Sequence, residues 1–238
     1  MIRKLIFAVI GVAAMALLLA FFVRTRFEGS NNGANYVQPN TVEAVKSPST
    51  LPIPATYANG LQTAVFAGGC FWGLEAVFEH VKGVTDVTSG YSGGAAKTAD
   101  YETVSDGESG HTESVKITYD PTQVSYHDLL NVFFAVAHDP TELNRQGPDS
   151  GTQYRSAIFY TDDEQKKSAE NYISEMTKAK TFSNPIVTQI TPLEAFYRAE
   201  DYHQNYLTQH PNQPYIVVND LPKVGNLQKQ FPALYISK

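Results

Sequence analysis

A chain of 238 residues with 42% hydrophobic content is long enough for one substantial core and too short for more than two small domains. Its net charge of −6 is unevenly spread: four basic residues against one acidic fall within the first 30, which leaves the remainder at −9 with 14 basic and 23 acidic side chains. So acidic a body excludes nucleic acid as a partner and broad adhesion to anionic lipid, and a single cysteine excludes a disulfide scaffold or a zinc finger.

Residues 5–23 carry no charge over 19 positions and are flanked by Arg3 and Lys4 on one side and Arg24 and Arg26 on the other. As a helix this segment measures about 28 Å, close to the hydrocarbon thickness of a bilayer. The expectation is a membrane anchor within residues 1–26. Ala14-Met15-Ala16 supplies the alternative, a cleavage site for a secretory signal, although a cut there leaves residues 17–23 strongly apolar. The N-terminal amine, Arg3 and Lys4 outweigh Arg24 and Arg26, so the positive-inside rule expects the folded part outside the cytoplasm, or secreted or periplasmic if the segment is cleaved. Residues 27–59, rich in Asn, Ser, Pro, Thr and Gly without hydrophobic period, read as a tether to a folded domain at 60–238.

Within that domain, residues 63–67 form a short apolar strand running into Gly68 and Gly69. After Cys70 the period turns helical, with Leu74, Val77, Phe78 and Val81 on one stripe until Gly83 stops it. Residues 84–89 read as a second strand. "ESVKITYD" alternates, Glu113, Val115, Ile117 and Tyr119 on one face against Ser114, Lys116 and Thr118 on the other. Ser125 and Asp128 make an acidic capping box for a helix whose stripe is Leu129, Val132, Phe133 and Val136. The 17 residues from His138 to Tyr154 read as a long loop, functional or disordered, "RSAIFYT" as a strand, residues 162–180 as a helix opened by Asp162, Asp163 and Glu164, and residues 186–191 as a further strand. The order β-α-β-β-α-β over residues 63–161 predicts an α/β fold of the ferredoxin-like kind, a two-layer split β-α-β sandwich, with an extended C-terminal stretch of helix and coil wrapped around it.

Cys70 stands where a strand turns into a helix, so unpaired N–H groups and the helix dipole are expected to favour its thiolate. Gly68 and Gly69 are expected to open the approach to another molecule, and Phe71 and Trp72 to line an apolar pocket. Glu113, if its face is buried, is held protonated near neutral pH, which sets a general acid beside a nucleophile. Tyr101 and Tyr154 each offer a phenolic hydrogen bond to a polar oxygen. Three other readings compete: a cysteine hydrolase drawing on His111 or His203, a thiol peroxidase, and a membrane-tethered module that binds peptide without turnover. Metal binding through His111 and Glu113, or His138 and Asp139, lacks a third ligand.

"GGCFWGLE", "GYSGG", "YETVSDGESGHTESV", "HDPTELNRQGPDSGTQYRSAIF" and "EDYHQNYL" together resemble peptide methionine sulfoxide reductase of class A over residues 62–210. The resemblance implies that Cys70 attacks the sulfoxide sulfur and becomes a sulfenic acid, that Glu113 protonates the departing oxygen, and that Tyr101 and Tyr154 hydrogen-bond it. It further implies that Phe71 and Trp72 receive the S-methyl group, that Asp149 organises the site, and that the S epimer is the substrate, with no metal or other resident cofactor. Many members carry a second, resolving cysteine, whereas this chain has none, so the implied reductant is an external thiol: a thioredoxin-like or glutaredoxin-like protein, or a small thiol. Thr112 stands where the family commonly has a smaller residue. The chain is expected to act as a monomer.

Overall fold

The structure is a computed structural model that describes residues 60–238. The expected anchor and tether fall outside the described residues; among the described residues no helix is long and apolar enough to cross a membrane.

Strand β1 (Gln62–Ala67) is buried on both faces along most of its length, as its unbroken apolar run requires of a central strand. It lies between β3 (Thr112–Tyr119) and β6 (Ala157–Tyr160), antiparallel to both. On the far side of β3 runs β2 (Val84–Ser92), again antiparallel, with a bulge between Val84 and Asp86. The order β6-β1-β3-β2 is that of the split β-α-β plan expected from residues 63–161. Two short strands extend it at the edges. β7 (Gln189–Pro192) runs parallel to β6, and β8 (Phe196–Arg198), not anticipated from the sequence, runs antiparallel to β2. A β8 of three residues has no alternation of its own to read; its pairing is fixed by β2.

Helices α1 (Phe71–Glu79), α3 (Tyr126–Val132, prolonged through Ala137 by a wider π turn) and α4 (Asp163–Ala179) bury their apolar stripes against one face of the sheet. Phe66 sits at the centre of that layer, its ring 4.8 Å from Phe133 and 5.6 Å from Phe78. The opposite face holds a smaller cluster of Val65, Ala67, Ala157 and Phe159. The capping box closes as expected: Asp128 N–H donates to Ser125 Oγ at 3.1 Å and Ser125 N–H to Asp128 Oδ2 at 3.0 Å. Asp162 caps α4 by accepting from Glu164 and Gln165.

The long loop before β6 is more ordered than its sequence suggests. A two-stranded hairpin, β4 (Arg145–Gln146) with β5 (Asp149–Ser150), and a 3-10 turn at Thr152–Tyr154 occupy it. A short helix, α2 (Tyr101–Ser105), is a second unexpected element; it is capped by Asp100, which accepts from Thr103 N–H at 3.0 Å. Beyond β8 the chain passes through α5 (Tyr206–Gln209), a π turn at Ile216–Asp220 and α6 (Leu221–Gln230). This C-terminal stretch returns to α1: Lys82 N–H donates to Leu234 O at 2.6 Å and Val81 bridges to Tyr235.

Candidate active site

Cys70 is the residue immediately before α1, buried with 8% of its surface exposed. The neighbouring backbone fixes its place. Gly69 adopts a left-handed φ of +93°, and its N–H donates to Tyr154 O at 3.2 Å. Neither glycine opens a way for another molecule, contrary to the expectation. A Cβ on Gly68 would lie 2.8 Å from the His138 ring and one on Gly69 2.6 Å from the Gln146 side chain, so the space is filled by the protein itself.

The first N–H of α1, that of Phe71, donates to Glu113 Oε2 at 3.0 Å, and the Cys70 thiol and this carboxyl act on each other electrostatically. The alternation of β3 put Glu113 on the buried face, and there it is 3% exposed. Burial is the main force on it and pushes its pKa up to about 8, against the Phe71 N–H, which favours the charged form. Glu113 is therefore a protonated acid at neutral pH. Cys70 departs from expectation. Its thiol is pushed well up, chiefly by burial and then by Glu113 and Asp220, and the backbone N–H of Trp72 offsets only part of this. Loss of water around the sulfur outweighs the helix N-terminus that was expected to yield a thiolate.

Tyr101, at the start of α2, and Tyr154, in the 3-10 turn, are the phenols drawn toward this pair. Both have raised pKa values, first from burial and next from Glu113, with a contribution from Cys70, so each keeps its proton and can donate it as a hydrogen bond. Glu200 anchors Tyr101 by accepting its backbone N–H at 2.9 Å while also accepting the Tyr91 hydroxyl at 2.8 Å. Thr112, the larger residue noted above, donates its hydroxyl to Gln153 O at 2.8 Å and so ties β3 to the turn that bears Tyr154.

Phe71 is fully buried, its ring 5.0 Å from His203 and 5.9 Å from Tyr91. Trp72 is half-buried and keeps an accessible edge. Tyr206 stacks on it at 3.8 Å and 7°, Tyr215 meets it edge-on at 6.0 Å, and its indole N–H donates to His203 Nδ1 at 3.2 Å. Asp149, at the start of β5, accepts the hydroxyl of Tyr215; burial raises its pKa while Tyr215 and Lys223 oppose the rise. The structure thus gathers all seven expected site residues, Cys70, Phe71, Trp72, Tyr101, Glu113, Asp149 and Tyr154, around one thiol.

The C-terminal stretch supplies what sequence reasoning missed: Tyr215, and a buried pair of Asp220 with Lys223 Nζ at 3.3 Å. "NDLPKV" does hold a signal, an acid and a base three apart around a Pro at a helix start, yet nothing local connects it to Cys70. Of the histidines a hydrolase would need, His111 has both ring nitrogens engaged, while His203 has one engaged and its buried Nε2 without a hydrogen-bond partner among the described residues. His111 Nδ1 accepts from Gly94 N–H and its Nε2 faces Ala95 O, while an indole can only donate, so His203 Nδ1 is spent as an acceptor for Trp72.

The family model described as Peptide methionine sulfoxide reductase matches residues 62–234. Peptide methionine sulfoxide reductase MsrA 2 of Mesorhizobium japonicum is 60% identical over 181 residues, which are 76% of this chain and 93% of that protein. The MsrA 2 of Synechocystis is 54% identical over 177 residues, 74% of this chain and 83% of that one. Among solved structures, reduced Mxr1 of Saccharomyces cerevisiae matches with a TM-score of 0.59 at 34% identity, over 64% of this chain and 87% of its own. Methionine sulfoxide reductase A of Corynebacterium diphtheriae matches with a TM-score of 0.56 at 37% identity, over 65% and 77%.

Proposed function

This chain belongs to the peptide methionine sulfoxide reductase family and is an oxidoreductase that reduces methionine sulfoxide, and from that premise we propose that Cys70 is its nucleophile, Glu113 its general acid and the S epimer its substrate. The observation that carries the assignment is the Glu113 carboxyl, buried and accepting at 3.0 Å from the N–H of Phe71, the residue next to Cys70.

As the sulfur attacks the sulfoxide sulfur, Glu113 delivers its proton to the sulfoxide oxygen and takes up the one the thiol gives up, so that it ends the step protonated as it began. Tyr101 and Tyr154 donate hydrogen bonds to that oxygen as charge gathers on it. The oxygen passes to Cys70 as a sulfenic acid while the thioether leaves, so the substrate sulfur is reduced by two electrons and the cysteine sulfur oxidised by two. The accessible edge of Trp72, above the buried Phe71, receives the S-methyl group. An external thiol then condenses with the sulfenic acid to a mixed disulfide and water, and a second thiol releases Cys70. A chain with one cysteine has no internal alternative. The dithiol of a thioredoxin-like or glutaredoxin-like protein supplies both equivalents, and small thiols supply them singly.

The test offers the purified chain both epimers of a methionine sulfoxide peptide with excess dithiothreitol. Reduction of the S epimer alone, abolished in Cys70→Ser, is the expected result; reduction of the R epimer, or activity surviving in Cys70→Ser, contradicts the assignment. Glu113→Gln is expected to lower kcat by about 10²–10⁴, the usual contribution of a general acid. In the parent enzyme the acid is protonated below its pKa of about 8, so its contribution is lost as pH rises through that value. The same reading keeps residues 5–23 as a membrane anchor with the catalytic domain outside the cytoplasm, which requires reductant to be delivered there. Protease added to intact cells is expected to remove the domain; full protection would reverse the topology.

A further inference from the structure

Three carboxyl groups bear on the Cys70 thiol: Glu113 from β3, Asp149 from β5 and Asp220 from the C-terminal stretch, and each makes its thiolate harder to form. The phenols of Tyr101, Tyr154 and Tyr215 complete the set of titratable neighbours. Nucleophilic attack demands negative charge on the sulfur, so a site assembled from acids alone would work against its own chemistry. Lys223 bears on two of them, Asp149 and Asp220. It is 7% exposed, its ammonium lies 3.3 Å from Asp220 Oδ1, and its charge also reaches Asp149 and His138.

The pair is seated against the nucleophile's own helix. A Cβ on Gly73, three residues after Cys70, would fall 2.2 Å from Asp220 Oδ1 and 2.8 Å from Lys223 Nζ, so the absence of a side chain there is what lets the pair press on the first turn of α1. Asp220 has no exposed surface and its Oδ2 has no hydrogen-bond partner. A buried ion pair of this kind is poor value for stability compared with apolar packing, which directs attention to what it does for its neighbours.

We propose that Asp220 and Lys223 are positioning residues of the reductase reaction, a buried pair by which the C-terminal stretch sets the charge around Cys70 so that the sulfur can become a thiolate. The proposal rests on Cys70 being the nucleophile. Lys223 offsets the Asp220 and Asp149 carboxylates; with the ammonium removed they oppose the thiolate unanswered, and with Asp220 removed the ammonium is left to favour it. The two halves of the pair therefore act on the thiol with opposite signs.

Alkylation of Cys70 by iodoacetamide, followed against pH in the substrate-free protein, reads the thiolate directly and needs no turnover. Lys223→Met is expected to move the alkylation profile to higher pH, by about one unit, which is about tenfold slower labelling at a fixed pH below the midpoint. Asp220→Asn is expected to move it to lower pH, and the double variant to settle between the two single variants and above the parent, since Asp149 is then left unanswered, with the pH profile of kcat moving in step. Shifts of the same sign in both single variants, or superimposed profiles, overturn the proposal, since a purely structural role predicts loss of fold without opposed titrations. Should Lys223→Met fail to fold, Asp220→Asn and the double variant still decide: no downward shift in the former overturns it. A parent enzyme that still reduces sulfoxide while Cys70→Ser also does so would instead bring down the nucleophile assignment.

Discussion

The sheet scaffold and the C-terminal stretch both pack against the helix that follows Cys70, and they differ in the contacts they bring. Scaffold elements β1, β3, α1 and α3 meet through apolar rings and aliphatic side chains, with Phe66 between Phe78 and Phe133 at the middle. The stretch from Tyr206 to Tyr235 joins the same core through Leu227 and adds polar and ring contacts: Tyr206 stacked on Trp72, the Tyr215 phenol on Asp149, a buried ion pair and two backbone links near its end. Apolar contact is non-directional and sets stability, whereas directional polar contact sets where atoms stand. The difference teaches that the C-terminal stretch shares the apolar core through Leu227 and alone adds the directional contacts of Tyr215, Asp220 and Lys223 beside the helix that carries the thiol.

Four substitutions set this contrast at risk. Phe66→Ala in the scaffold is expected to destabilise the whole domain by about 3–5 kcal/mol, measured by urea unfolding, as large-to-small changes of fully buried aromatics do. Glu75→Gln tests the other side of α1. Glu75 is 1% exposed, its Oε1 has no hydrogen-bond partner among the described residues, and burial raises its pKa to about 7, with the Asn205 and Tyr206 backbone opposing part of the rise. An acid whose folded pKa is raised binds more protons folded than unfolded, so stability falls as pH rises from about 4.5 to about 7. The variant is expected to lose that slope, worth about 3 kcal/mol across the window at about 1.4 kcal/mol per unit; an unchanged slope in melts from pH 4 to 8 would remove Glu75 as its source. Gly73→Ala drives a methyl into Asp220 and Lys223 and is expected to cost about 1–3 kcal/mol. Its signature is faster hydrogen exchange in α6 with the strands still protected; equal loosening of β1 and β3 would mean that the two regions are not separable. Tyr215→Phe deletes one hydroxyl to Asp149, costs about 1 kcal/mol and is expected to raise KM or lower kcat with the melting temperature little changed.

Much of the scaffold was legible because its signals are local. The alternation of Glu113 to Tyr119, the Ser125–Asp128 box and the stripe of α1 each lie within one turn or strand. Glu113 was found for the same reason, since an acid on the apolar face of a strand marks itself. The thiol's state was misread because a helix N-terminus is visible in sequence while desolvation depends on everything packed over the sulfur. The approach glycines were misread likewise: the side chains that fill their space, His138 and Gln146, arrive from about 70 residues away. Tyr215, Asp220 and Lys223 are farther still, and α2 and β8 are too short to have a period, so only the folded chain reveals them.

The bridge between Val81 and Tyr235 has a bearing on synthesis. On the ribosome the strands and helices of the scaffold are complete well before residues 215–235 emerge, so a nascent or prematurely stopped chain owns the thiol and its acid without the counter-charge of Lys223 or the clasp on Asp149. An unfinished chain lacks Asp220 and Lys223 together, so neither the carboxylate that opposes the Cys70 thiolate nor the ammonium paired with it is in place until the final described helix is made.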